Sequence, residues 1–157
     1  MIIELIKEKE LTIHLQTQLT ELYKQLNADL TQLNLTTILS DHNTTDVVIC
    51  MDGDILAGIA MMAKYKVISG HKGMIEDVVV STDYRGKGIG RKLMEKLLEQ
   101  AEKENLNDVL LFSGHHRTAA IALYKSLGFK LKDSGLYVKN TLSNTLINFL
   151  NMLQLIL

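Results

Sequence analysis

Three glycines at alternate positions, Gly86, Gly88 and Gly90, stand in a stretch that also carries Arg85, Lys87, Arg91 and Lys92. Glycine lets a backbone approach a ligand closely and take positive φ, so successive amide N–H groups in such a turn can aim at one spot. The run Met74 to Ser81, with Val78-Val79-Val80 inside it, precedes the turn, and Ile89, Leu93, Met94, Leu97 and Leu98 follow it at helical spacing. Strand, glycine turn and helix in that order put the positive end of a helix dipole behind the free amides. That arrangement is a phosphate cradle, with Arg85, Lys87 and Arg91 supplying charge for more than one phosphate. A Walker loop needs four residues between its first glycine and a Gly-Lys-Ser/Thr ending, and this loop has neither the spacing nor the magnesium-binding hydroxyl. The dinucleotide fingerprint Gly-x-Gly-x-x-Gly also differs from the Gly-x-Gly-x-Gly found here.

The rest of the chain must position that loop. Leu15, Leu19, Leu22, Leu26, Leu30 and Leu33 recur every three or four positions, which predicts one or two amphipathic helices between Leu11 and Leu33. Residues 46–51 and 55–61 are apolar and flank Asp52-Gly53-Asp54, whose Asp-Gly pair favours a tight hairpin turn. The β-branched run before the glycine loop suits a central strand covered on both faces. Val109 to Phe112 reads as a strand parallel to it, reached through the intervening helix. Thr118 to Leu127 predicts a further helix stopped by Gly128, and Phe129–Leu131 with Leu136–Val138 predicts two short closing strands. The simplest architecture is one α/β domain, a mixed sheet with helices on both faces.

The chain has 157 residues, 17 basic and 18 acidic, with no proline and one cysteine, Cys50. Such a composition excludes collagenous, low-complexity and disulfide-framed proteins. Residues 1–60 hold nine acids against three bases, and the remainder holds fourteen bases against nine acids. The bases cluster around the glycine loop, which favours a small polyanion over nucleic acid as partner. Charges in the first ten residues interrupt any signal-peptide core, so a cytoplasmic location is expected, with no membrane partner. The apolar stretch 141–157 is too short and too often broken by Asn and Gln to span a bilayer. It is expected to be a tail beyond a domain of residues 1–140, packing on that domain or joining a homodimer. His115 and His116 lack a third ligand at metal spacing, so they read as loop histidines. Cys50 reads as a buried small hydrophobe.

Two motifs together resemble the GCN5-related N-acetyltransferase (GNAT) family. Arg85-Gly86-Lys87-Gly88-Ile89-Gly90 matches the family signature of Arg or Gln, two residues, Gly, one residue, then Gly or Ala. Leu123-Tyr124-Lys125-Ser126-Leu127-Gly128-Phe129 is similar to its Leu-Tyr-three-residues-Gly-Phe element. The resemblance runs from Met74 to Lys139 and implies a mostly antiparallel sheet whose parallel central pair splays apart. It implies acetyl-coenzyme A as donor and no metal. The amides of Gly86, Lys87, Gly88, Ile89, Gly90 and Arg91 would take the pyrophosphate, the backbone of Val78, Val79 and Val80 would pair with the pantetheine arm, and Ala120 would lie against the cofactor. Tyr124 stands where the family places a general acid. Glu76 stands where several members place a base, and strand alternation predicts that only one of Glu76 and Asp77 faces the acceptor. Arg117 replaces an asparagine common in the family and is expected at a cofactor phosphate or an anionic acceptor group.

Amine attack on a thioester fits that pair of groups, because the amine must lose a proton and the leaving thiolate benefits from gaining one. The expected activity is acetyl transfer to a small-molecule primary amine. A non-catalytic acyl-coenzyme A sensor and a protein amino-terminal or lysine acetyltransferase remain alternatives, and the identity of the acceptor does not follow from the motifs.

Overall fold

The computed structural model describes residues 1–40 and 44–139. Strand β1 (Ile2–Leu5) is followed by a 3₁₀ turn (Glu8–Glu10) and helices α1 (Ile13–Lys24) and α2 (Leu35–Leu39). Strands β2 (Thr45–Asp52), β3 (Ile55–Val67) and β4 (Gly70–Val80) come next, then a second 3₁₀ turn (Thr82–Tyr84), helix α3 (Ile89–Lys103), strand β5 (Asp108–Leu111) and helix α4 (Thr118–Ser126). The described strands form one five-stranded sheet in the order β1-β2-β3-β4-β5. All neighbours are antiparallel except β4 and β5. This is the expected mixed sheet, with the Asp-Gly hairpin joining β2 and β3.

Helices cover both faces. Leu15, Leu19 and Leu22 of α1 and Leu35 of α2 pack with Val47, Ile49, Ile59, Met61 and Val79. Ile89, Leu93, Met94 and Leu97 of α3 pack on the other face with Val48, Cys50, Ala60, Met62 and Ile75. Thr12 starts α1 by accepting a hydrogen bond from the Leu15 amide at 3.1 Å. The α1 side chain of Gln18 then grips the hairpin, accepting from Leu56 N and donating to Asp54 O, each at 2.9 Å.

The ladder between β4 and β5 is short. It runs from Lys72 opposite Asp108 to Ile75 opposite Leu111 and stops there. Residues 76–80 of β4 therefore pair only with β3, and the parallel pair splays as expected. Between β3 and β4 the register also slips, because Ile59 faces Val79 but Met61 faces Glu76. Two steps along β3 match three along β4, and the surplus falls at Asp77, whose φ is +52°. This is a β-bulge.

Three expectations change. The leucine stripe is helical only to Lys24, and Leu30 and Leu33 are exposed beyond it. There the Asn27 side chain bonds the Asp29 amide and turns the chain. Phe129–Leu131 and Leu136–Val138 form no strands among the described residues, and Leu131 and Tyr137 are more than nine-tenths exposed. Short apolar runs become strands only with a partner edge, and these two are not part of the five-stranded sheet of the described residues. Thirdly, the bulge breaks the strict alternation expected along β4. The predicted tail, 141–157, lies outside the described residues. Among those residues no helix is long and apolar enough to cross a membrane.

Leu97 is fully buried between α3 and the sheet. Leu97→Ala is expected to cost about 2–5 kcal/mol, seen as a lower urea midpoint at constant m-value.

Candidate active site

The glycine loop begins where β4 ends. Ser81 N bonds Ala57 O, and the Thr82–Tyr84 turn carries the chain outward to Gly86 and Gly88, with φ of +78° and +75°. Left-handed backbone at both positions accounts for glycine there. A Cβ on either would meet no protein atom within 4 Å, so the loop's surface is open rather than packed. Gly88 is the N-cap of α3 and has no side chain to satisfy the helix amides. Lys92 N is the first to find a carbonyl, at Gly88 O, 3.2 Å away. The amides ahead of it lack intrahelical acceptors, as at any helix start, and no acidic side chain stands in that first turn. The arrangement can hold an anion.

The basic side chains divide among other tasks. Lys87 Nζ lies 4.5 Å from the Tyr84 ring centroid, and Arg85 Nε donates to Val80 O at 3.3 Å. Arg91 pairs with Glu95 at 3.4 Å and donates to Ser126 Oγ, which in turn donates to Leu123 O. Sequence reading expected Arg91 to supply charge to the cradle; in the structure its guanidinium ties the start of α3 to the end of α4. Ile89 contributes only its backbone, since its side chain is buried in the α3-side core. Val79 faces the α1-side core, whereas Val78 and Val80 pack on the α3 side.

Helix α4 docks against this loop. A Cβ on Gly90 would lie 3.5 Å from Leu123 and 3.7 Å from Val80, so β4, α3 and α4 converge there. Tyr124, one residue on, is half-buried with its ring edge-on to Phe129, 6.2 Å between centroids. Burial pushes its phenol up from its ordinary value and the nearby Arg117 charge pulls it part of the way back. It is therefore protonated at neutral pH. Arg117 is the N-cap residue of α4 and exposed, and Ala120 is partly buried one turn later.

Glu76 stands on the opposite face of β4. Its register partner Met61 belongs to the α1-side core, so Glu76 faces α1. The bulge turns Asp77 to the same side, where Asp77 Oδ1 accepts from the Tyr23 hydroxyl of α1 at 2.9 Å. Alternation had allowed only one of the two acids on that face; the extra residue lets both occupy it. Although Glu76 as a residue is exposed, surrounding structure removes its carboxyl partly from water, and this, with the Asp77 charge, pushes its pKa up. Tyr23 is pushed up to about 12, by burial first, then by the bond to Asp77 and the charges of Asp77 and Glu76. Nothing in its sequence neighbourhood marks Tyr23, since it lies on the helix flank beside the leucine stripe. Glu76 on the α1 side and Tyr124 on the α3/α4 side thus approach β4 from its two faces.

Two concavities, of about 630 and 320 Å³, lie elsewhere, one around Lys64 and Glu104 and one around Glu4 and His14. Beyond Ile75 the outer edge of β4 has no strand partner among the described residues. Among the described residues no group of His, Cys, Asp and Glu is arranged to hold a metal.

A model of the acetyltransferase (GNAT) family matches residues 8–129, which includes both motifs, the splayed strand and the helices around it. The chain belongs to the GNAT acetyltransferase family. Members of the family take acetyl from acetyl-coenzyme A. L-methionine sulfoximine/L-methionine sulfone acetyltransferase of Pseudomonas aeruginosa is 32% identical over 80 residues, 50% of this chain and 46% of that protein. Ribosomal protein bS18-alanine N-acetyltransferase of Escherichia coli K12 is 42% identical over 53 residues, 34% of this chain and 36% of that protein. The matches thus span less than half the length of these relatives. An aminoglycoside acetyltransferase from an uncultured soil metagenomic sample shares the fold with a TM-score of 0.76, at 17% identity over 90% of this chain and 96% of that one.

Two outcomes follow for this GNAT chain. Gly88→Ala must hold a side chain in left-handed backbone, which costs about 1–2 kcal/mol and is read from denaturant unfolding. Of the five tyrosines, Tyr23 is expected to ionise near pH 12 in an ultraviolet titration, and Tyr23→Phe removes that late step. An unfolded phenol ionises near 10, so between about pH 10 and 12 the unfolded state holds fewer protons and stability falls as pH rises. Tyr23→Phe flattens that decline.

Proposed function

We propose that this chain transfers acetyl from acetyl-coenzyme A directly to a primary amine of a small molecule. The observation that carries the reading is the uncapped, glycine-opened start of α3 at the end of a strand whose outer edge is free. The amides of Gly86 to Arg91, with Arg85 and Lys87 beside them, would hold the pyrophosphate of the donor. The free edge of Val78, Val79 and Val80 would pair with the pantetheine amides, and Arg117 and Ala120 would border the same molecule from α4. Bound acetyl-coenzyme A supplies a thioester, a carbonyl already activated toward an amine.

The chain's own residues then handle protons. Glu76, more basic than an ordinary carboxylate, takes a proton from the acceptor ammonium so that the nitrogen can attack. Tyr124 gives its phenolic proton at the sulfur as the C–S bond breaks. The phenol regains a proton from solvent, and the second nitrogen proton leaves to water. The acidic first part of the chain and the paired carboxylates on the α1 face favour a cationic acceptor.

Tyr124→Phe separates catalysis from binding. Its turnover with a responsive amine is expected to fall by about 10²-fold or more. Thermal stabilisation by acetyl-coenzyme A and free coenzyme A should be retained. Unchanged turnover defeats the acid role of Tyr124, and absence of stabilisation by either coenzyme A species defeats the donor assignment. A panel of small amines, amino acids and peptides with free amino termini distinguishes the small-molecule acceptor from a protein amino terminus.

A further inference from the structure

The bulge in β4 creates a local problem. Asp77 takes φ of +52°, a conformation that a residue with a Cβ adopts rarely, in the strand that carries the candidate base. Such backbone persists only when surrounding contacts over-determine it. The contact available is the Tyr23 hydroxyl, from a helix 54 positions earlier in the chain, which donates to Asp77 Oδ1 at 2.9 Å. Tyr23 lies in the last turn of α1, and its ring packs on the α1-side core.

We propose that Tyr23 is a positioning residue: through Asp77 it holds the β4 bulge in the register that puts the Glu76 and Asp77 carboxylates side by side on the acceptor face. The inference rests on the acetyltransferase reading above and divides the two acids between tasks. Asp77 is engaged by a donor and contributes a fixed charge beside the acceptor. Glu76 has no hydrogen-bond partner among the described residues and is free to take the ammonium proton. The groups facing Glu76 are Asp77 from its own strand and Tyr23 from α1, while its β3 neighbour, Met61, carries no charge. Partial burial and then the fixed Asp77 charge make Glu76 more basic, and the Asp77 charge favours a cationic amine over a neutral or anionic one.

The test combines kinetics with coupling. Tyr23→Phe, Asp77→Asn and the double variant are assayed with an amine that the parent protein acetylates. Tyr23→Phe should lower kcat about 10- to 100-fold, as expected when a reacting group is misplaced by a fraction of an ångström to an ångström. The KM for acetyl-coenzyme A should stay unchanged, because Val79 and Val80 keep their own partners, Ile59 and Gly58, beyond the bulge. The double variant should be no slower than Asp77→Asn, since Tyr23 acts through Asp77. Full kcat in Tyr23→Phe, or losses that multiply in the double variant, would overturn the proposal. Where Tyr23→Phe is poorly folded, the Tyr23 phenol in Asp77→Asn decides: the ring's burial is kept there, so a phenol that ionises no earlier than in the parent means Asp77 does not hold the hydroxyl. The two readings also fail separately. A parent protein inactive on every amine, whose Tyr23 phenol ionises earlier once Asp77 is replaced by Asn, defeats the acetyltransferase reading and supports the clamp; an active parent insensitive to Tyr23→Phe defeats the clamp.

Discussion

The arrangement of this molecule depends on one interruption in hydrogen bonding. Strand β4 pairs with β5 as far as Ile75 and then loses that neighbour, while β3 continues to hold its other edge to Val80. Backbone amides and carbonyls seek partners wherever water is excluded, so the edge left without a strand beyond Ile75, where Arg85 holds the Val80 carbonyl, is a place where another extended chain could bind. The splay also leaves room at the end of β4 for the glycine loop and for helix α4 to close over it. Without the break, Val78 to Val80 would be ordinary sheet interior, and the start of α3 would have no cleft to face.

A second irregularity in the same strand does the complementary work on the other side. One surplus residue at Asp77 shifts the alternation, so Glu76 and Asp77 both face α1 while Val78 and Val80 still reach the α3-side core. Two carboxylates in adjacent positions on one face repel, and partial burial together with the Asp77 charge makes Glu76 harder to ionise. The Tyr23 hydroxyl holds Asp77, and Glu76 is left more basic than an ordinary carboxylate. The strand thereby separates the amide-lined glycine loop from a side that carries two neighbouring carboxylates.

Charge near the glycine loop is spent partly on architecture. Arg91 links Glu95 and Ser126, and so ties the helix that opens the cradle to the helix that bears Tyr124. Exposed ion pairs of this kind add little stability. The value of the link is geometric, since α4 otherwise meets the loop through small contacts at Gly90, Leu123 and Val80. Under the proposed function, an anion at the loop would rely on backbone amides and the α3 dipole, which cannot swing away as a long side chain can.

Much of the fold was legible in the residues because its signals are local. The Asp-Gly turn, the glycine loop and the spacing of Ile89, Leu93 and Leu97 each act within a few positions, where backbone sterics and helical periodicity operate. The two motifs that mark the family are local for the same reason. The register between β3 and β4 is different, because a bulge is decided by pairing across the sheet, and nothing in Glu76-Asp77-Val78 announces it. Leu30 and Leu33 keep helical spacing after the helix has ended, and Leu136 to Val138 look strand-like where no edge receives them. Tyr23 reads as an ordinary helix residue until the fold sets it beside Asp77. Chain-local sterics and periodicity thus determined which elements form and where the cradle lies. The tertiary structure alone decided which side chains share a face, since that depends on partners tens of residues away.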